Sequence, residues 1–388
     1  MKLSTLFEDF TGSEKSAGII LIISTIFSLI IANSVIGHPY IAFWHSIFFN
    51  KPIEFWINDG LMTVFFLLVG LEIEREIYIG ELSNIKKSLL PLFATIGGMI
   101  IPALIHYSFN KGTNTQNGFA IPTATDIAFS LAVLSIIGKR VPVQLKIFLT
   151  ALAIIDDVGA ILVIALFYSD KFSFLYFSLA MGVFACLLIL NRLKVHALLV
   201  YLLPGIVMWF FMHRSGIHPT ITGILLAFAI PFGKGDPKSI SYILQHRLHV
   251  PVAFFILPLF ALVNTAFLIP SDAINELSSP NSYGIIFGLL IGKPLGIFLF
   301  SFIGIAIGFC VLPEGLKKRH LFWTGLLAGI GFTMSIFITL LAFNNHELIN
   351  SSKIAIIIGS VLSALIGYIG LHFTIKTTAE KPEFRTIK

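Results

Sequence analysis

The sequence predicts an all-α integral membrane protein of twelve transmembrane helices, and three observations carry that expectation. Only 12% of its 388 residues are charged and 56% are hydrophobic, against roughly 25% charged in soluble domains. The apolar residues gather into twelve runs, each of about the length that crosses ~30 Å of hydrocarbon as a helix rising ~1.5 Å per residue. Lys and Arg also alternate between the connections. Of the 26, Lys51, Lys111, Lys171, Arg214 and Lys353 fall on one side, Lys146 and Lys293 lie within runs, and the other 19 fall on the opposite side. The richer side is expected to be the cytoplasm, with both termini in it. The net charge of +6 then reflects this bias rather than a nucleic-acid surface. Cys186 and Cys310 sit in or beside apolar runs and imply no disulfide framework.

Residues 3–10 form a short amphipathic stretch expected to lie on the membrane surface. Glu8, Asp9 and Glu14 stand ahead of the first run, which suits a retained span better than a cleaved signal peptide. The first six runs fall at 17–34, 56–75, 89–109, 119–138, 143–168 and 172–190. The other six fall at 197–213, 216–232, 251–269, 283–309, 321–343 and 354–375. A missed or added span would scramble the charge alternation. No connection is long enough for a soluble domain, so 1–388 reads as one membrane domain.

Two runs are unlike plain helices. The fourth holds Ala120-Ile-Pro122-Thr-Ala-Thr125-Asp126, where Pro122 removes a backbone donor and crowds the preceding turn. The eleventh holds Ala328-Gly329-Ile-Gly331-Phe-Thr333-Met-Ser335, whose glycines and hydroxyls weaken a helix centre. If spans 3–5 and 10–12 are two repeats, these are the two middle spans. Interrupted helices at matching positions of two repeats point to a transporter's midplane site.

Charged residues inside the runs carry the functional expectation. Asp156 and Asp157 lie near the middle of the fifth run. An Asp at a membrane-helix centre costs about 2.5–3.5 kcal/mol, and adjacent carboxylates resist double ionisation. A carboxylate removed from water holds a proton more readily. Na⁺ and Li⁺ are hard cations that favour oxygen ligands, as Ca²⁺ and Mg²⁺ do. One site can therefore take a proton or a cation, and exchange follows if it opens alternately to the two sides. Neighbours on a helix point ~100° apart, so one aspartate can face Lys293 of the tenth run while the other faces water and ions. Asp126 can neutralise exposed helix N-termini and Lys293 exposed C-termini. Asp126 and Lys293 could instead be a structural pair between helices.

Ile121-Pro-Thr-Ala-Thr-Asp-Ile-Ala-Phe129, Ala151-Leu-Ala-Ile-Ile-Asp-Asp-Val-Gly-Ala160, Leu290-Ile-Gly-Lys-Pro-Leu-Gly296 and Gly329-Ile-Gly-Phe-Thr-Met-Ser335 resemble the NhaA family of Na⁺/H⁺ antiporters. So do Trp56-Ile-Asn-Asp-Gly-Leu-Met62 and Phe65-Phe-Leu-Leu-Val-Gly-Leu-Glu72, and the likeness runs over nearly the whole chain in the family's order. The resemblance implies an inverted-repeat fold with crossed fourth and eleventh spans, in a bacterial inner membrane. It implies Asp157 as principal carrier of Na⁺, Li⁺ or proton, Asp156 as its partner against Lys293, and Thr125 and Asp126 beside the site. It also implies exchange driven by membrane voltage, with more protons entering than Na⁺ leaving. A homodimer is implied too, although Phe48-Phe-Asn-Lys-Pro-Ile-Glu-Phe55 is shorter than the β-hairpin by which members dimerise. No cofactor and no enzymatic step are expected.

Glu72, Arg75 and Glu76 share one helix face at the cytoplasmic end of the second span. They read either as a solvated helix end or, by the resemblance, as a cation-attracting, pH-sensing funnel. Glu74 is off that face and is expected to be solvated. Gln245-His246-Arg247-Leu-His249 precedes the ninth span, and Gln245 stands where the family's pattern usually has an acid. His218 matches a family position tied to pH response; otherwise it is a capping or interface residue. Regulation is thus expected to rest on Glu72, Arg75, Glu76, His218, His246 and His249, with a switch around pH 6–7, where histidine changes charge. Asp59 is expected to cap the second span or face outward, without an ion-binding role.

Two other classes use related features. An intramembrane aspartyl protease needs two aspartates opposed on separate helices around one water, and here they are consecutive. A channel, or an organic-anion/sodium symporter of related fold, has no need of both aspartates together with Lys293.

Overall fold

The computed structural model describes residues 14–138, 140–168, 172–270 and 276–379. The amphipathic stretch 3–10 lies outside them. The fold is all-helical apart from one small hairpin. In chain order the helices are α1 (Glu14–Ala32), α2 (Gly37–His45), α3 (Ile53–Tyr78), α4 (Ile85–Asn110), α5 (Ile127–Ile137), α6 (Val143–Phe167) and α7 (Phe174–Arg192). They continue with α8 (Leu199–Ser215), α9 (Ile221–Ala229), α10 (Ile240–Asn264), α11 (Pro280–Ala306), α12 (Lys318–Ala328), α13 (Phe332–Ala342) and α14 (His346–Ala379). All twelve apolar runs contain helix. Among the described residues nine helices are long and apolar enough to cross a membrane, and the bent pair α12–α13 makes a tenth. The count of twelve full crossings is not reached on that criterion, because α8 has 17 residues and α9 only nine. Nine residues rise only ~14 Å.

Both anticipated interruptions are present. Gln116–Thr123 is a tight 3-10 helix that stops before α5, and α12 and α13 meet at 51° across Gly329–Gly331. Wide π-type turns also occur within α3 (Trp56–Leu61), α10 (Val252–Ile256) and α11 (Gly288–Gly292). Pro258 and Pro294 explain the last two, since each removes the donor to the carbonyl four residues back, inside the widened turn.

Small residues set a close helix contact. Gly97 of α4 and Gly296 of α11 face each other so tightly that a Cβ on either would run into the other's carbonyl. Backbones pack closely in membranes where side chains are absent. Buried apolar residues of α3, α5, α6, α10, α13 and α14 form one contiguous core. A second core joins α7, α8 and α9 to the Leu67–Leu71 face of α3. Outward faces such as Ile23, Phe27 and Ile30 of α1 are apolar and exposed, a surface suited to lipid.

The region anticipated as a shortened hairpin has strands β1 (Ile47–Phe48) and β2 (Lys51–Pro52), paired Ile47 to Pro52 and Phe48 to Lys51. It follows α2, a surface helix that the apolar pattern did not single out.

Candidate functional site

The two broken helices cross, and side chains compensate their loose ends. Asp126 caps α5, its Oδ1 accepting the Phe129 N–H at 3.0 Å. Its Oδ2 accepts the N–H of Thr333, in the first turn of α13, at 3.1 Å and the Thr333 hydroxyl as well. One carboxylate thus serves two helix N-termini, where partial positive charge accumulates. The opposite ends carry exposed carbonyls. Lys293 Nζ donates to the Thr123 carbonyl at the end of the 3-10 stretch. Thr125 and Ser130 hydroxyls donate to the Ala328 and Leu327 carbonyls of α12, each at 2.8 Å. Ser335 of α13 donates back to the Ile121 carbonyl at 2.7 Å, and the Asp126 N–H to the Ile330 carbonyl at 2.7 Å.

Lys293 has a second partner. Its Nζ lies 2.7 Å from Asp156 Oδ2, with both side chains essentially fully buried. Two of the sequence alternatives for Lys293, a helix-end cap and a partner for one of the paired aspartates, hold at once; the third, a pair with Asp126, is not formed, Asp126 being bonded to Phe129 and Thr333 instead. Thr125 lies against the same Asp156 carboxylate. Asp157 is also buried, but no hydrogen bond to its carboxylate is found among the described residues. The charges acting on it are the like charges of Asp156, Glu72 and Asp126 and the single opposing Lys293. No cluster of three or more His, Cys, Asp or Glu is assembled for a metal among the described residues. Of the expected ion ligands, the Thr125 hydroxyl and Asp156 Oδ2 are committed, whereas Asp156 Oδ1 and the Asp157 carboxylate have no hydrogen-bond partner among the described residues.

A cavity of about 320 Å³ runs from the Glu72 end toward this site. Glu72, Arg75, Glu76, Gln245 and His249 line its mouth, and Ile127, Ala128, Thr150 and Ile154 line it beside the first turn of α5 and one turn before Asp157. Glu76 is partly committed, because its carboxylate accepts the Glu81 N–H at 2.9 Å. His246 is exposed, stacked on Tyr242 with ring centres 5.8 Å apart, and is not among the cavity's lining residues.

The structure does not bring His218 to this group. It lines a second cavity, of about 720 Å³, at the other end of the molecule together with Asn58, Asp59, His213, Asn264 and Lys353. His218 Nδ1 is 2.8 Å from the Thr220 hydroxyl and Nε2 is 3.6 Å from Asp59 Oδ1. Asp59 and Glu72 lie on one helix, thirteen residues and thus roughly 20 Å apart, so the expected regulatory set divides between two ends. Glu74 is a correction: it is buried, with Oε2 lacking a partner among the described residues. Positions 67, 71 and 74 follow helical spacing, and this face packs into the α7–α9 core. That spacing was a legible signal. Thr333 was also unassigned; a hydroxyl in the first turn of a half-helix, opposite Asp126, was its signal.

Comparisons with known proteins agree with this architecture. A family model described as Na⁺/H⁺ antiporter 1 matches residues 8–371. A protein named Na⁺/H⁺ antiporter NhaA from Flavobacterium psychrophilum is 57% identical over 378 residues, covering 97% of this chain and 98% of its own. A protein of that name from Cytophaga hutchinsonii is 57% identical over 376 residues, with 97% of each chain covered. One from Dechloromonas aromatica is 58% identical over 376 residues, covering 96% of this chain and 97% of its own. These relatives are named as transporters, not enzymes. With a family model over nearly its whole length and relatives this similar from end to end, the chain belongs to the Na⁺/H⁺ antiporter 1 family.

Proposed function

We propose that the protein exchanges Na⁺ or Li⁺ for protons across a bacterial inner membrane, both termini in the cytoplasm, by alternating access to Asp157. The observation that carries this reading is the asymmetry of the aspartate pair. Asp156 has Lys293 at 2.7 Å, whereas Asp157 is buried with no protein cation of its own. An isolated ionised carboxylate is too costly to leave in an apolar interior. It must hold a proton or a cation, and the two compete for the same oxygens. Protein carbonyls and water would complete the cation's shell, as hard cations require.

One proton exchanged for one Na⁺ at Asp157 moves no net charge. Electrogenic exchange needs a second proton, and the Asp156–Lys293 pair is the titratable group beside the first. The cavity bearing Glu72, Glu76 and His249 faces the cytoplasm in this orientation and supports the reading as the cation's entrance and the seat of pH regulation. Transport in vesicles tests it. Purified protein loaded with a pH dye should show proton movement on adding Na⁺, faster under an imposed membrane potential of the right sign. Proton movement that ignores Na⁺, or Na⁺ movement without protons, overturns the proposal.

A further inference from the structure

Lys353 is a cation out of place. The alternation of Lys and Arg puts it in a connection outside the spans. The structure puts it about two turns inside α14, with only 7% of its surface exposed. A charge at membrane depth is normally paired, or else it lines the route of an ion. Lys353 is not paired. Among the described residues no carboxylate lies within 4 Å of its ammonium, and no hydrogen bond from it is found. Its one directed contact is with the Phe267 ring, whose centre is 5.8 Å from Nζ, near the outer limit at which a ring attracts a cation. The side chain lines the 720 Å³ cavity, whose wall reaches Phe337 and Leu341 of α13 and Tyr168 at the end of α6, the helix that carries Asp157.

We propose that Lys353 sets the affinity for Na⁺ on the outer face: it keeps the outer cavity poor in Na⁺, so that Na⁺ leaves readily and re-enters poorly. The proposal rests on the exchange reading above, with this cavity facing outward. The other fixed charges on its wall are Glu54, Asp59 and Lys51. Both carboxylates attract a cation, and both already face a histidine, Glu54 with His45 at 3.2 Å and Asp59 with His218 at 3.6 Å. Lys51 is exposed, with its ammonium 4.7 Å from the Phe55 ring centre, so water and salt screen it. Lys353 is the buried cation, and its field is screened least. A cleft with low-dielectric walls focuses such a field and lowers the local concentration of like-charged ions. The gradients still fix the direction of net exchange; Lys353 fixes how much outside Na⁺ is needed to run it backwards. A purely structural role would need a partner, and Glu54, the acid whose charge acts on Lys353, is beyond 4 Å and held by His45.

Membrane vesicles of both orientations decide the matter, made from cells that lack other Na⁺/H⁺ exchangers and carry the full chain. Right-side-out vesicles present the outer cavity to added Na⁺, and inside-out vesicles present the Glu72 cavity. Initial proton movement against Na⁺ concentration gives a KM for each face. Lys353→Gln should lower the outer-face KM several-fold and change the inner-face KM by much less, and Lys353→Arg should keep both near wild type. Asn350→Lys adds a second cation one turn earlier on the same cavity wall and should raise the outer-face KM, which keeps the test open should Lys353→Gln not fold. An outer-face KM unmoved by these charge changes overturns the proposal. So does an equal change on both faces, which would mark Lys353 as a structural residue. A wild type that exchanges from neither face fails the exchange reading itself, whereas a wild type that exchanges normally beside unmoved variants fails this proposal alone.

Discussion

Asp157 and Asp156 are chemically the same residue with different surroundings, and that difference separates their mutants. Asp157→Asn keeps the shape but neither titrates nor supplies an anionic ligand. Exchange should fall to background while the protein stays folded and inserted; near-normal Na⁺-dependent proton flux in vesicles would remove Asp157 from the carrier role. Lys293→Ala instead leaves Asp156 and the Thr123 carbonyl without their cation. Breaking a buried pair from one side costs about 3–5 kcal/mol, so the melting temperature in detergent should drop clearly. Adding Asp156→Ala should recover part of that loss, because it removes the orphaned charge. A double variant less stable than Lys293→Ala alone would mean that the two residues act independently. Sequence reasoning could name both aspartates, because carboxylates are conspicuous in an apolar run. The residues by themselves left open which one Lys293 contacts, since that depends on how α6 and α11 are rotated against each other, a matter of packing; the family resemblance named Asp156, and the contact is with Asp156. Glu74 escaped although its spacing from Leu67 and Leu71 was readable, because a charged residue near a helix end reads as solvated.

At the scale of elements, the crossing of the 3-10 stretch and α5 with α12 and α13 is held by reciprocal caps. Thr333→Val removes the hydroxyl donor to Asp126 and keeps the backbone one. A hydrogen bond to a charged group contributes about 1.5–3 kcal/mol, so stability should fall by roughly that amount, and Thr333→Ser should retain it. Equal melting temperatures for the Val and Ser variants would show that the hydroxyl contributes nothing. Glycines make a second comparison. Gly296→Ala forces a Cβ into the Gly97 carbonyl, whereas around Gly182 of α7 nothing lies within 4 Å. Alanine favours a helix over glycine by about 1 kcal/mol, so Gly182→Ala should leave the protein as stable or more so and Gly296→Ala should destabilise it. The same sign for both would refute the tight α4–α11 contact. The interruptions were readable because Pro122 and the paired glycines break helices for local reasons. The 51° bend and the partners of each loose end were not, because they are fixed by what crosses them. The length of α9 was overestimated from the same apolar signal, since Ile230 and Pro231 continue the hydrophobic run after the helix has ended.

At the scale of the molecule, two cavities open toward opposite ends and the candidate site lies between them. pH can act on such a protein in two ways. Protons compete with Na⁺ at Asp157, and they titrate groups at the cavity mouth. Competition alone gives a bell-shaped profile, so pH dependence by itself identifies no sensor. The two part at saturating Na⁺. Competition predicts that excess Na⁺ restores activity on the acid side, whereas a sensor leaves an acid limb that Na⁺ does not remove. The arrangement of histidines sharpens the test. His249 lines the 320 Å³ cavity with Glu72, whereas His246 is stacked on Tyr242 and is not among the lining residues. Losing a cationic form at the mouth removes repulsion toward an entering cation. His249→Ala should therefore raise activity on the acid side at limiting Na⁺, with the difference from the wild type vanishing as Na⁺ saturates. His246→Ala should overlay the wild type. Measuring exchange against pH at limiting and saturating Na⁺ in the wild type and both variants separates the outcomes. If the His249→Ala profile overlays the wild type at both Na⁺ levels, the histidine has no part in regulation.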